Sequence, residues 1–307
     1  MAIYVATVVL NLSLAVAVGA ALAALWLADA TAPWSAAQLR RVRPVRLGAS
    51  AAAIVASSLL LVFVSALMAE VDVAEAGEAV RAMLTESHFG LAWAVAMGAL
   101  VAAALASAFP ASGRWLRTVA LVNLLLLGVV IYTRSMVSHA AADGDLSLAL
   151  IVDWVHLCLV AVWVGAVLVA AFVTLGSALG EHAADRAQAA QYIKKLSSSA
   201  TVALAGIFAT GLFSAWHNLG SIAGLTGNAY GNLLLVKTGL VVFAVMLGGW
   251  NRFVGMPPLL ASLRSRDAAS APTLGRFRRI LRIEAAVLFA VLVIAAVLSA
   301  TSPPTSA

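Results

Sequence analysis

Charged residues are scarce in this chain of 307 residues, where Asp, Glu, Lys and Arg together make up 10%. A soluble globular domain carries about 25% charged residues, so the composition excludes one here. Hydrophobic residues make up 63% of the chain and fall into long apolar runs. A membrane barrel would instead show segments of about ten residues with alternating hydrophobicity. The composition therefore predicts an all-α integral membrane protein.

Several familiar motifs are also missing. The single cysteine, Cys158, excludes an intramolecular disulfide. The sequence has no GxxxxGK[ST] loop, no HExxH motif and no cysteine cluster, so ATP-driven pumping by this chain alone is not expected. The first apolar run has no basic region before it and is too long for a secretory signal, so we expect a retained first span. These absences favour a transporter or metal-binding membrane protein over an enzyme.

Eight apolar runs reach the roughly 20 residues that a membrane-spanning helix needs. They are residues 4–28, 47–69, 89–109, 115–137, 148–176, 198–217, 231–254 and 281–301. We expect Pro257-Pro258 to end the seventh span and Pro303-Pro304 the eighth.

The spans are expected to form one membrane domain. Its N-terminal four-span half covers residues 1–137, and its C-terminal four-span half covers residues 138–307. The two longest connections, near 177–197 and 255–280, are expected to hold short interfacial helices.

The charges are distributed unequally between the two sets of connections. Sixteen of the 19 Lys and Arg residues lie beside the first, third, fifth and seventh connections. The even-numbered connections carry acids instead: Glu70, Asp72, Glu75, Glu78, Glu86, Asp143 and Asp145. The positive-inside rule therefore predicts that the odd connections are cytoplasmic and that both termini are outside, in the periplasm. This pattern accounts for the net charge of +6 without a nucleic-acid partner.

The fifth span contains two unusual side chains in the sequence DWVH. Asp153 and His156 are three residues apart, so they share one face of the helix. A lipid-facing carboxylate costs several kcal/mol, which predicts that this face points into the bundle. Asp153 could then ligate a cation or orient the imidazole of His156. A structural hydrogen bond between helices is the alternative.

Further candidate ligands lie toward the same side of the membrane. Met136 and His139 are three residues apart after the fourth span, and His217 ends the sixth. Imidazole with thioether suits Cu(I), and imidazole with carboxylate suits Cu(II) or Zn(II). These residue types predict a copper site near the periplasmic face, formed by His139, His156, Asp153, Met136 and His217. The alternative cofactor is haem b, held by the same histidines as axial ligands.

Two more ionisable residues lie within or beside spans. Lys237, in the outer part of the seventh span, either extends toward the membrane surface or neutralises a buried acid, with Asp153 as the natural partner. Glu284 is expected to form a structural ion pair with Arg252 or Arg282 at the cytoplasmic edge.

Four blocks give the second half of the chain a recognisable order. They are DWVHLCLVAVWVGAVLV, SSSATVALAGIFATGLFSAW, YGNLLLVKTGLVVFAVMLGGWNR and IEAAVLFAVLVIAAVLSATSPP. In these blocks the chain resembles the copper resistance protein D (CopD) family from about residue 138 onward, whereas the first four spans fit by count and topology.

The resemblance implies an eight-span protein of the bacterial inner membrane that handles copper, with uptake toward the cytoplasm and a periplasmic CopC-like copper carrier as partner. It makes His139 and His156 the best ligand candidates. The other positions that fit the family pattern, without an assigned role, are Asp153, Trp163, Tyr230, Lys237 and Arg252. The acidic connection at 70–88 is either a docking surface for the carrier or a solvated surface.

Overall fold

A computed structural model of the chain describes residues 1–142, 144–176, 182–219, 229–265 and 270–301, without the side chains of His139, residues 217–219 and Ser270. These residues form ten α-helices, α1 to α10: Ala2–Leu27, Pro33–Met68, Gly77–Glu86, His88–Ala108, Gly113–Met136, Leu148–Val169, Ala183–Leu219, Ala229–Trp250, Met256–Ser265 and Ser270–Leu298. The described ranges contain no strand.

Eight helical runs are long and apolar enough to cross a membrane. They are α1, α2, α4, α5, α6, α7, α8 together with α9, and α10. Large apolar side chains such as Leu125, Leu212 and Phe253 are exposed on their outer faces, as expected for surfaces in contact with lipid. The predicted all-α fold with eight spans is confirmed.

Three helices begin well before the spans predicted for them, and one of these is α10, which begins at Ser270 rather than at 281. Helix α2 begins at Pro33, in the first-turn position where proline is favoured, and continues past Pro44. Helix α7 begins at Ala183 and is continuous with the sixth span. The segment predicted as a separate interfacial helix is therefore the first part of α7. A tertiary contact holds the extensions of α2 and α7 together, because the Trp34 amide donates to Asp185 Oδ1 at 2.7 Å.

Two spans continue as π-helical turns. Helix α6 extends through Ala170–Thr174, and α8 extends through Asn251–Gly255 directly into α9. Pro257 and Pro258 are the second and third residues of α9, directly after the π-helical turn. The prediction that these prolines end the seventh span is wrong, since the helical run continues to Ser265. Pro303 and Pro304 lie outside the described residues.

The odd connections meet at one end of the bundle, called here the basic end. Arg43 Nη2 donates to the Ala108 carbonyl, and Lys195 Nζ donates to the Trp26 carbonyl at 3.1 Å. At the opposite end, called the acidic end, the Tyr132 hydroxyl donates to the Asp145 carbonyl at 2.5 Å.

Helix α1 lies at the centre of the bundle. It packs against α2, α5 and α6, and its buried face is lined with small residues. A Cβ atom added to Gly19 would collide with the backbone of Gly165 in α6, so the two helices touch through their backbones. Small residues allow such close approach between membrane helices. The main core cluster combines α1 and α2 with α6, α7 and α10, so both halves of the chain contribute to it.

Candidate functional site

Asp153 is the centre of a polar cluster near the acidic end. Its Oδ2 accepts hydrogen bonds from Ser135 Oγ at 2.7 Å and Ser138 Oγ at 3.4 Å, both from the end of α5 and the turn after it. Arg134 on α5 and Lys237 on α8 interact electrostatically with this carboxylate. Neither cation forms an ion pair with it within 4.0 Å in the described part of the chain. The cluster therefore links three spans through one carboxylate.

Two residues of α8 face this cluster. Lys237 interacts electrostatically with both Asp153 and His156. The Lys237 ammonium and the Asp153 carboxylate are more than 4.0 Å apart, so they do not form a direct ion pair. The buried Tyr230 also lies within electrostatic range of Asp153. The seventh span thus supplies a cation and a phenol to the same region.

The imidazole of His156 is held by the sixth span. Its Nδ1 lies 2.9 Å from Thr210 Oγ1 on α7. The Thr210 hydroxyl donates its one proton to a carbonyl of its own helix, that of Gly206 at 2.6 Å. With the Thr210 proton on that carbonyl, Nδ1 donates to Thr210 in the tautomer that leaves the lone pair on Nε2. The ring also interacts with the backbone of Ile207 on α7.

Glycine makes room for this ring on α7. A Cβ atom added to Gly211 would lie 3.4 Å from Cε1 of His156, so the imidazole packs directly against the helix backbone. A neutral imidazole whose Nδ1–H is bonded and whose Nε2 is free has the form that binds metal ions. The structure therefore supplies one metal-competent nitrogen in the fifth span.

The other predicted ligands are not brought together by the described residues. The side chains of His139 and His217 lie outside the described part. Met136 is the last residue of α5 and is partly buried, next to the Ser135 that contacts Asp153. Within the described ranges, no group of three His, Cys, Asp or Glu side chains is placed to hold a metal ion. The five-residue copper site stays a prediction.

A second polar site lies on α6 two turns beyond His156. Trp163 Nε1 donates to Glu284 Oε1 of α10 at 3.2 Å, and both side chains are buried. The expected ion pair of Glu284 with Arg252 or Arg282 is wrong, since neither arginine approaches within 4.0 Å.

The two arginines have other acceptors. Arg252 Nη1 donates to Ser197 Oγ at 2.7 Å and to Thr201 Oγ1 at 2.9 Å on α7. Arg282 Nε lies 3.5 Å from the Ala171 carbonyl in the π-helical turn after α6.

Sequence reasoning missed the hydroxyl residues that hold the acidic-end cluster. Ser135 and Ser138 lie at the end of the fourth apolar span, which is a weak signal for them, and Thr210 lies inside the sixth span, where no feature of the sequence marks it. A further contact at this end joins His88 Nε2 to Asp145 Oδ2 at 2.8 Å, with both side chains about half exposed. This pair lies at the surface and is separate from the Asp153 cluster.

The fold and the cluster define a multi-pass helical membrane protein with an imidazole and a carboxylate embedded near one end of its bundle. The family model described as "Copper resistance protein D-like, N-terminal domain" matches residues 1–148, and the one described as "Copper resistance protein D" matches residues 190–298. The chain belongs to the copper resistance protein D family. Asp153 and His156 lie between the two matched segments, so the matches assign them no role.

Two curated proteins are similar to the chain. "Copper transport protein CutJ" of Bacillus subtilis (strain 168) is 30% identical over 233 residues, covering 73% of this chain and 39% of the relative. "Copper resistance protein D" of Pseudomonas syringae pv. tomato is 29% identical over 213 residues, covering 67% of this chain and 66% of the relative. The chain thus spans less than two thirds of either relative. No solved structure matches it.

Proposed function

We propose that this protein binds copper near its acidic end and moves it into or across the bacterial inner membrane. The observation that carries the proposal is the imidazole of His156, which lies within a membrane span beside the carboxylate cluster of Asp153. Family membership, and relatives named for copper transport and copper resistance, support copper as the transported ion.

The orientation follows from the charges at the two ends. Sixteen of the 19 Lys and Arg residues belong to the odd connections, so the basic end is proposed to face the cytoplasm. The acidic end, with both termini, then faces the periplasm. A periplasmic CopC-like carrier is the proposed copper donor at this end.

Each residue of the proposed site has a distinct chemical role. The Nε2 of His156 is a ligand, and His139, Met136 and His217 complete the coordination from neighbouring segments. An imidazole and thioether set favours Cu(I). Asp153 already accepts two hydroxyl hydrogen bonds, so its role is to offset the positive charge of Lys237 and Arg134. Without that carboxylate, the two cations would repel an arriving copper ion.

Copper stoichiometry tests the site directly. Purified wild-type protein is expected to bind copper, and the double variant His139→Ala/His156→Ala is expected to lose that binding. His88→Ala is the matched control, because His88 lies at the same end but pairs with Asp145 at the surface. Equal binding by the double variant and the wild type would rule the site out. A Soret band in the visible spectrum of the same sample would indicate haem instead.

Transport requires a separate measurement. Vesicles reconstituted with the wild type are expected to accumulate copper above the level of protein-free vesicles, and vesicles with the double variant are not. Binding without accumulation would contradict transport while leaving the copper site in place.

The hydroxyl of Thr210 offers a finer test of the ligand geometry. Thr210→Val preserves the shape of the side chain but removes the acceptor for Nδ1 of His156. Loss of such an orienting partner typically weakens metal binding by 10–100-fold, so we expect a copper Kd about tenfold higher. Thr238→Val is the control, since the Thr238 hydroxyl bonds only to its own helix at Leu234. An unchanged Kd in Thr210→Val would show that His156 is not a ligand.

A further inference from the structure

A cavity of about 230 Å³ lies in the half of the bundle nearer the basic end. It is lined by residues of α6, α7, α10, and α8 with the π-helical turn that follows it. Its walls are mostly apolar, and its polar side chains include Ser197, Thr201, Arg252 and Glu284. A space of this size holds several water molecules, and these polar groups can act as their hydrogen-bond partners.

Glu284 is an unusual component of this cavity. Glu284 is 3% exposed, and within the described part of the chain its carboxyl accepts one hydrogen bond, from Trp163 Nε1 at 3.2 Å. Gly248 leaves space for the carboxyl, since a Cβ atom there would lie 3.1 Å from Oε1. An ionised carboxylate buried in a membrane bundle without a contacting cation is costly, and a bound proton removes that cost.

The surroundings of Glu284 also permit the ionised state. Among the described residues that line the cavity, Arg252 carries the only other ionisable side chain. Arg252 is anchored on α7 through Ser197 and Thr201, so it stays near the carboxyl without pairing with it. The hydrogen bond from Trp163 favours the carboxylate, whereas burial favours the acid.

The other elements packed against α10 add no charge to this balance. Helix α1 contains no charged residue between Ala2 and Leu27. Helix α9 contributes Arg264, which is exposed and does not line the cavity. On α10 itself, Arg278 and Arg282 contact the carbonyls of Gly176 and Ala171. The protonation of Glu284 is therefore governed by its burial and by the hydrogen bond from Trp163.

The cavity is also connected to the proposed copper site by a single helix. Trp163 lies seven residues after His156 on α6, about 10 Å along the helix axis and on the same face. Beside the cavity, the π-helical turn Asn251–Gly255 interrupts the regular hydrogen bonding of α8. Such turns occur frequently at functional sites in membrane and soluble helices.

We propose that Glu284 is a proton-binding residue that exchanges its proton with the solution at the basic end through this cavity, and that copper movement is linked to this exchange. The link to copper rests on the proposed function, whereas the proton site does not.

Infrared difference spectroscopy tests the proton site without copper. The purified wild type is expected to show a protonated-carboxyl C=O band that disappears as pH rises and is lost in Glu284→Gln. Asp153→Asn is expected to retain this band. Trp163→Phe, which removes the hydrogen-bond donor to Glu284, is expected to shift the frequency of this band. This variant replaces Glu284→Gln as the test if Glu284→Gln does not fold. A band that is insensitive to both Glu284→Gln and Trp163→Phe would overturn the proposal.

Proton flux tests the link to copper. In vesicles containing a pH-sensitive dye, copper added to the wild type is expected to cause proton movement, and Glu284→Gln is expected to abolish that movement while binding copper with unchanged stoichiometry. Unchanged proton movement in Glu284→Gln would overturn the link. Absence of copper accumulation by the wild type would overturn the proposed function and the link together, while the infrared band would still decide the proton site.

Discussion

Replacement of Gly165 by leucine is expected to destabilise the protein by at least about 3 kcal/mol, more than a hundredfold in the ratio of folded to unfolded protein. A Cβ atom at Gly165 would collide with the carbonyl oxygen of Ala15, and one at Gly19 would collide with the Gly165 backbone. Because the colliding atoms belong to the backbone, no side-chain rotation relieves the overlap. Helices α1 and α6 must separate, and the core around them opens.

The free energy of unfolding in detergent, followed by SDS titration and by the thermal midpoint, measures this effect. Gly98→Leu is the matched control, because Gly98 lies in a membrane span with nothing within 4 Å of its added Cβ atom. We expect the control to change stability by no more than about 0.5 kcal/mol. Equal stability of Gly165→Leu and Gly98→Leu would contradict the close contact between α1 and α6.

Replacement of Asp153 by asparagine is expected to cost about 3 kcal/mol of stability. The substitution keeps an acceptor for the Ser135 hydroxyl but removes the negative charge that offsets Arg134 and Lys237. An uncompensated charge inside a bundle is more destabilising than the absence of both partners. We therefore expect the double variant Asp153→Asn/Lys237→Met to be more stable than the sum of the two single effects predicts.

A double-mutant cycle measures this coupling energy. Asp145→Asn is the control, since its partner His88 is about half exposed and such surface pairs contribute at most about 1 kcal/mol. Strictly additive effects of Asp153→Asn and Lys237→Met would contradict the electrostatic cluster at the acidic end.

The number and order of the spans could be predicted because a membrane imposes a minimum apolar length on each spanning helix. The true helix lengths could not, since they depend on contacts beyond the bilayer. Helix α7 begins at Ala183 where the Asp185 carboxylate accepts from the Trp34 amide, and Gln188 contacts Ser35. Hydropathy carries no information about these pairings between α2 and α7.

The candidate site was predictable only in part, for a similar reason. The three-residue spacing of Asp153 and His156 predicts their shared face from helix geometry alone. Their partners Ser135 and Thr210 depend on which spans are neighbours, and one sequence does not contain that information.

The expected pairing of Glu284 with Arg282 failed on local geometry. Residues two apart on a helix point in different directions, so closeness in sequence did not bring the two charges together. Arg282 instead approaches the Ala171 carbonyl, and Trp163 from a distant span contacts Glu284.

Helix α7 has a mechanical consequence for the proposed copper site. Its 37 residues form a rod of about 55 Å, longer than the hydrocarbon layer of about 30 Å. Thr210 contacts the imidazole of His156 about three quarters of the way along this helix, and Asp185, near its first residue, accepts a hydrogen bond from the Trp34 amide of α2. A tilt of this helix about its middle would move these two contacts in opposite directions. A change at the imidazole would therefore be transmitted to the contact between α7 and α2 on the other side of the membrane.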